Sequence, residues 1–250
     1  PDSIFTKMVD ASKDDPALFE ARSRALFGAM KSGGDVAFQN IAWFNGGLFD
    51  DDSTLALTVP ELKVLIAACR LDWSVIDPSI FGTLFERGLD PSKRSQLGAH
   101  YTDPETIMKV VRPVVVEPWL REWSEERDRI AALMEKADIF GSAAKTRAEK
   151  AAQTKALNEA KARLIAFLDR LRSFTVLDPA CGSGNFLFLA LRSLKDIEHR
   201  VLVEAEMLGL GRQFPAIGPA NVKGIELNAY AAELARITVW IGEIQWMIQN

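Results

Sequence analysis

The segment Val176-Leu177-Asp178-Pro179-Ala180-Cys181-Gly182-Ser183-Gly184-Asn185-Phe186 leaves a chain few ways to fold. Thr175, Val176 and Leu177 make a short β-branched and apolar run that ends at Asp178-Pro179. Gly182 and Gly184 let the backbone turn sharply and come close to a ligand. Phe186 to Leu191 then opens a helix. Asn221-Val222-Lys223-Gly224-Ile225-Glu226 predicts a second strand, and Ala229 to Ile248 a strongly apolar helix carrying Leu234, Ala235, Ile237, Trp240, Ile241 and Ile244. Strand, glycine turn, helix, strand ending in an acid, helix: this order opens a doubly wound α/β sheet.

Upstream the pattern is helical. Residues 3–31 place Ile4, Met8, Leu18, Ala21, Ala25, Leu26 and Met30 on a 3.6-residue period, with Asp14-Asp15-Pro16 starting a second segment. Lys31-Ser32-Gly33-Gly34 is a break, and Ala42 to Phe49 a compact aromatic-glycine loop. Pro60 to Leu71 is helical again, and Ile80 to Arg87 is a short apolar run. Residues 103–120 read as a capped helix that Pro113 kinks. Residues 121–172, rich in Ala, Glu, Lys and Arg with a break near Phe140-Gly141-Ser142, predict a helical hairpin whose mixed charges form a solvated face. The expected organisation is a helical spacer over 1–97 and a domain over 98–250 that contains the hairpin.

Composition narrows the function classes. With 250 residues, 48% of them hydrophobic, the chain can bury one sizeable core or two smaller ones. The net charge of -4 lacks the basic excess that announces most nucleic-acid-binding domains, so any DNA contact must be local or carried by other chain. Two cysteines, Cys69 and Cys181, and two histidines, His100 and His199, fall in no metal-ligand spacing, so no zinc site is expected. Two distant cysteines fit a reducing compartment, and no apolar stretch approaches the ~18 residues of a membrane span. The cytoplasm is the default location, and with no initiator Met the front end is expected to be that of a fragment.

Two carboxylates stand where open α/β sheets bind ligands, at the carboxyl ends of the strands. Asp178 suits the ammonium of an amino-acid ligand and would repel a pyrophosphate. The dinucleotide pattern also fails on spacing, because its third glycine would fall at Leu187. Glu226 can accept both hydroxyls of a ribose, each charge-assisted bond being worth about 1.5–3 kcal/mol. It can equally be a helix cap or a first-turn acid. It lies further from Gly184 than the usual ~20 residues, and Lys195 to Gly218 reads as an added helix and loop. Gly98-Ala99-His100-Tyr101-Thr102-Asp103-Pro104 is a loop that becomes a helix N-terminus, whose free N–H groups can hold an anion or simply be capped.

Together these residues carry a resemblance. Leu177 to Leu187 looks like motif I of amino-methylating DNA methyltransferases, and Gly98 to Thr102 looks like their motif X, in the gamma-class order. Trp43-Phe44-Asn45-Gly46-Gly47-Leu48-Phe49 and Ile76 to Arg87 resemble the MmeI-like family of fused restriction–modification proteins. The resemblance implies a Rossmann-like sheet that binds S-adenosyl-L-methionine. Asp178, Ala180, Gly182 and Gly184 would line its methionine part, Glu226 would hold its ribose, and Tyr101 and Thr102 would close over the methionine end. It implies adenine N6 of double-stranded DNA as the target, reached through the full-length protein. One departure is Asp103, where many gamma-class enzymes have Thr directly before Pro.

The Asn- or Asp-Pro-Pro-aromatic motif of such enzymes does not occur in this sequence, and neither does the Pro-Cys of carbon-5 cytosine methylation. The chain is therefore expected to bind cofactor without transferring methyl, with motifs X, I and II only and no catalytic residue. Two other readings stay open: a non-catalytic nucleotide-binding or scaffold module, and a methyltransferase acting on RNA or a small molecule. The oligomeric state is not legible.

Overall fold

The computed structural model describes residues 4–43, 49–71, 76–80, 102–143 and 146–250, excluding the side chains of 139–143. The chain divides into two compact units, Pro1–Asp77 and Pro78–Asn250. The boundary expected at 97/98 falls outside the described residues.

The first unit holds helices α1 (Ile4–Asp10), α2 (Pro16–Ser32) and α3 (Val59–Cys69) and a small hairpin, β1 (Gly34–Val36) with β2 (Gln39–Ile41). Asp15 caps α2, its carboxylate accepting from the Leu18 amide at 3.0 Å. The Glu61 carboxylate accepts from the Thr58 amide at 2.7 Å and so closes the start of α3. Val9, Phe19 and Leu62 form the core of the unit. The hairpin is absent from the sequence reading, which has only a break at Lys31 to Gly34. Its turn residues, Ala37 and Phe38, both take positive φ, at 49° and 63°. Tight hairpins need that conformation and usually obtain it with Asn-Gly, so Ala-Phe gave no signal.

The second unit begins with α4 (Pro104–Val111), a π-helical turn (Arg112–Val116) and α5 (Glu117–Ala143). Pro113 lacks the N–H for an ordinary turn, and the helix widens around it, the Glu117 amide reaching back to the Arg112 carbonyl. The expected kink is this π turn. The predicted hairpin is α5 with α6 (Arg147–Ser173). The break expected at 140–142 is not there, since α5 runs through Ala143, and Thr146 starts α6 through a capping box with Glu149.

The strand β3 (Val176–Asp178) leads to α7 (Asn185–Met207), a 3-10 turn (Pro219–Asn221), β4 (Val222–Gly224) and α8 (Ala229–Gln249). The added helix read between Lys195 and Gly218 is the second half of α7, which runs unbroken through Lys195 to Met207. β3 and β4 are parallel, pairing Val176 with Val222, Leu177 with Lys223 and Asp178 with Gly224. Among the described residues the sheets are this pair and the β1–β2 hairpin. The fold is thus a mixed, largely helical one with small sheets, and among the described residues the expected doubly wound sheet is represented by one strand–helix–strand unit.

The core of this unit lies between the hairpin and α7. Trp123, Ile130, Phe167, Leu168 and Leu171 pack with Leu191, Leu194 and Val201. Trp119 meets Phe167 and Phe174 edge-on, with ring centroids 5.7 and 5.5 Å apart. The Trp123 indole donates to Glu204 at 2.8 Å, fastening α5 to α7. No helix among the described residues is long and apolar enough to cross a membrane.

Candidate cofactor site

The turn between β3 and α7 is held by its own backbone. The Ile225 amide donates to the Asp178 carbonyl at 2.9 Å, and the Cys181 amide donates to the Ile225 carbonyl at 3.0 Å. The pairing of β3 with β4 thus continues past the strands into the turn. Gly184 closes it, donating to Cys181 O and accepting from the Phe188 amide, both at 2.8 Å.

The glycines serve different needs. Gly182 (φ 54°) and Gly184 (φ 87°) both sit in the left-handed region that side chains disfavour. A Cβ on Gly184 would lie 2.8 Å from Ala235 Cα, so this glycine lets α8 approach the turn. A Cβ on Gly182 would meet nothing within 4 Å. The side of the turn that a Cβ would occupy is open, so the backbone there is accessible to a ligand. Gly224 has a third reason: its Cβ would fall 2.5 Å from the Cys181 sulfur.

The two carboxylates hold the turn at either end. Asp178 Oδ1 accepts from the Ala180 amide at 3.1 Å, which steadies the turn. Glu226 accepts from the Gly182 amide through Oε2 at 2.9 Å and from the Asn228 amide through Oε1 at 2.8 Å. Each oxygen retains a lone pair for a further donor. The helix-cap alternative for Glu226 is taken by Asn228, whose Oδ1 accepts from the Tyr230 and Ala231 amides at 3.0 and 3.1 Å. Sequence reasoning missed Asn228, although Asn before an apolar helix is an N-cap signal.

Cys181 lies beneath this group. Burial, and then the charges of Asp178 and Glu226, push its thiol from 9.0 to about 11. A nucleophilic thiolate is therefore suppressed at neutral pH, in keeping with a packing role.

Of the expected site residues, the structure brings together Asp178, Ala180, Gly182, Gly184 and Glu226. Thr102 lies apart from them in sequence, just before α4, and is half-buried. Tyr101 lies outside the described residues, as do Gly98, Ala99 and His100. Asp103, the departure from the gamma-class pattern, is the N-cap of α4: its carboxylate accepts from the Thr106 amide at 2.9 Å. Hydrogen bonds from the Thr106 side chain and amide hold its pKa below the usual 3.8.

A glycine turn between two carboxylates is common to many nucleotide-binding folds, so comparison with known proteins decides the family. Residues 150–250 match the sequence family described as MmeI, DNA-methyltransferase domain. Those residues form an MmeI-like methyltransferase segment. DNA methyltransferase A of Bacillus subtilis (strain 168) is 28% identical over 206 residues, which is 81% of this chain and 20% of that protein. A Methanocaldococcus jannaschii protein, whose name describes a type II restriction enzyme and methyltransferase, is 26% identical over 237 residues, covering 83% of this chain and 19% of its own length. The structure of the Type IIL restriction-modification enzyme MmeI in complex with DNA superposes with a TM-score of 0.75 at 25% identity, over 98% of this chain and 30% of that one. The chain thus spans about a fifth of the length of the curated relatives it matches. The likeness to MmeI runs upstream of the matched domain, through the helical units.

Proposed function

We propose that this chain is the S-adenosyl-L-methionine-binding part of a site-specific DNA methyltransferase of a restriction–modification system. The observation that carries the proposal is the open, positive-φ Gly182 bonded to a carboxylate that two amides already orient. Glu226 would take the ribose hydroxyls on its remaining lone pairs. Asp178 would face the ammonium of the methionine part, where a pyrophosphate would be repelled. Ala180 and Gly182 would supply backbone lining, and Gly184 the close approach of α8 that shapes the turn. Tyr101 and Thr102 would close over the methionine end.

The bound cofactor supplies a methyl group on a sulfonium, already activated for transfer. What the protein adds is positioning, and for a base in a duplex its extrusion from the stack. Adenine N6 as target, and double-stranded DNA as partner of the full-length protein, follow from the family resemblance. The DNA complex of the MmeI neighbour is consistent with that partner. The sequence contains no Asn- or Asp-Pro-Pro-aromatic motif, so the 250 residues alone bind cofactor and leave DNA unmethylated.

Calorimetric titration with S-adenosylmethionine and, separately, with NAD tests the reading. Heat of binding with the first and none with the second is the expected result. Equal binding of both would make the site a general nucleotide site and overturn the proposal.

A further inference from the structure

We infer that Asn221 and Glu198, neither of which bonds to the glycine turn, are positioning residues that set the height of β4 and so hold Glu226 in place. The inference rests on the cofactor site proposed above. Its starting point is that β3 and β4 are only three residues long each. Even with the two bonds of Ile225 that continue the pairing into the turn, so short a ladder fixes a register weakly. A slip of one residue moves the strand by about 3.3 Å, more than a hydrogen bond tolerates. The bond of Glu226 to the Gly182 amide would not survive it.

The register is secured where the strands begin. Asn221 directly precedes Val222, the first residue of β4, and is buried. Its Nδ2 donates to Arg172 O at 2.7 Å and to Phe174 O at 2.9 Å, and its Oδ1 accepts from the Gly218 amide at 3.1 Å. Both of its donors are thus spent on the segment that enters β3. One side chain measures the start of β4 against the start of β3.

Glu198 acts on the loop before Asn221. It is 1% exposed and lies on α7. Its carboxylate accepts from the Ala216 amide at 3.0 Å and the Ile217 amide at 2.9 Å, and from Arg172 Nε at 2.7 Å. Arg172 is also the residue whose carbonyl Asn221 holds. The end of α6, the middle of α7 and the approach to β4 therefore meet at one small polar knot. A buried carboxylate with this many donors is costly to assemble and rigid once satisfied.

The test uses a readout that needs no cofactor. The Gly182 amide is held by Glu226, so its hydrogen exchange reports where Glu226 sits. In Asn221→Ala we expect Gly182 exchange to accelerate tenfold or more, to the level of Glu226→Ala. S-adenosylmethionine affinity should fall about tenfold, and the double variant should bind no more weakly than Glu226→Ala alone. Ile130→Ala, in the α5–α6 hairpin core, serves as the stability control and should lower Tm without changing either reading. Should Asn221→Ala fail to fold, Glu198→Gln keeps the shape and one acceptor oxygen, and should move Gly182 exchange in the same direction by a smaller factor. Unchanged Gly182 exchange in a folded variant, or cofactor losses that multiply in the double variant, would overturn the inference. If the wild-type chain binds no cofactor, the site proposal fails on its own and the exchange result still decides the positioning role.

Discussion

The Gly182 amide donates to Glu226 Oε2 at 2.9 Å across 44 positions of sequence. That bond joins the end of one strand–turn unit to the end of the next, and it makes the glycine turn and the ribose-directed acid a single object. Changes on either side of it have separable consequences.

Gly182→Ala and Gly184→Ala should fail differently. Both place a side chain at positive φ, which costs roughly 1–2 kcal/mol. Gly184→Ala also drives its methyl into Ala235 on α8, adding about 1–3 kcal/mol of overpacking. Its Tm should fall well below that of Gly182→Ala. Gly182→Ala fills the open side of the turn and should lose cofactor affinity by tenfold or more with a modest change in Tm. Thermal melts paired with cofactor titration check both.

Cys181 should be slow to alkylate. Its thiol is pushed up to about 11 from an ordinary 9.0, so the fold retains a proton that the unfolded chain releases near 9. The stabilisation this gives is intact below pH 9 and is lost as pH rises toward 11. In a Cys69→Ser background, the pH profile of iodoacetamide labelling should have its midpoint near 11. A midpoint at or below 9 would contradict the described burial and flanking charges.

Lys195 and Glu243 form a buried ion pair at 2.7 Å, and Lys195 also donates to Ile217 O at 3.1 Å. Its ammonium lies 4.5 Å from the Trp246 ring centre. Lys195→Met leaves the Glu243 carboxyl buried without its cation, which should cost about 3–5 kcal/mol. Replacing both residues, with Glu243→Leu added, should recover most of that loss. Chemical denaturation of the single and double variants measures it.

What the sequence showed and what it hid follow from the range of the interactions. Asp15 and Asp103 as caps, Pro113 as a disturbance, and the strand–turn–helix at Val176 to Phe186 are all local devices, and local residues revealed them. Glu226 was legible because it follows a strand. Asn221, Glu198 and Lys195 were not, because their hydrogen-bond partners, the Gly218 amide apart, lie 18 to 49 positions away and a polar residue in a helix or loop looks solvated until its neighbours are known. The β1–β2 hairpin stayed hidden because Ala37-Phe38 is not a turn-forming pair. The single α7 looked divided because the interval between Gly184 and Glu226 is longer than an ordinary helix and turn require. The continuous helix and the loop after it fill that interval.

The most direct test of the cofactor site is the affinity of S-adenosylmethionine for the wild-type chain and for Glu226→Ala, both shown to be folded. A charge-assisted bond of about 1.5–3 kcal/mol predicts binding to the wild type that weakens tenfold to a hundredfold in the variant. Equal affinity in the two proteins would contradict the assignment of Glu226 to the ribose, and no binding to either would contradict the cofactor site itself.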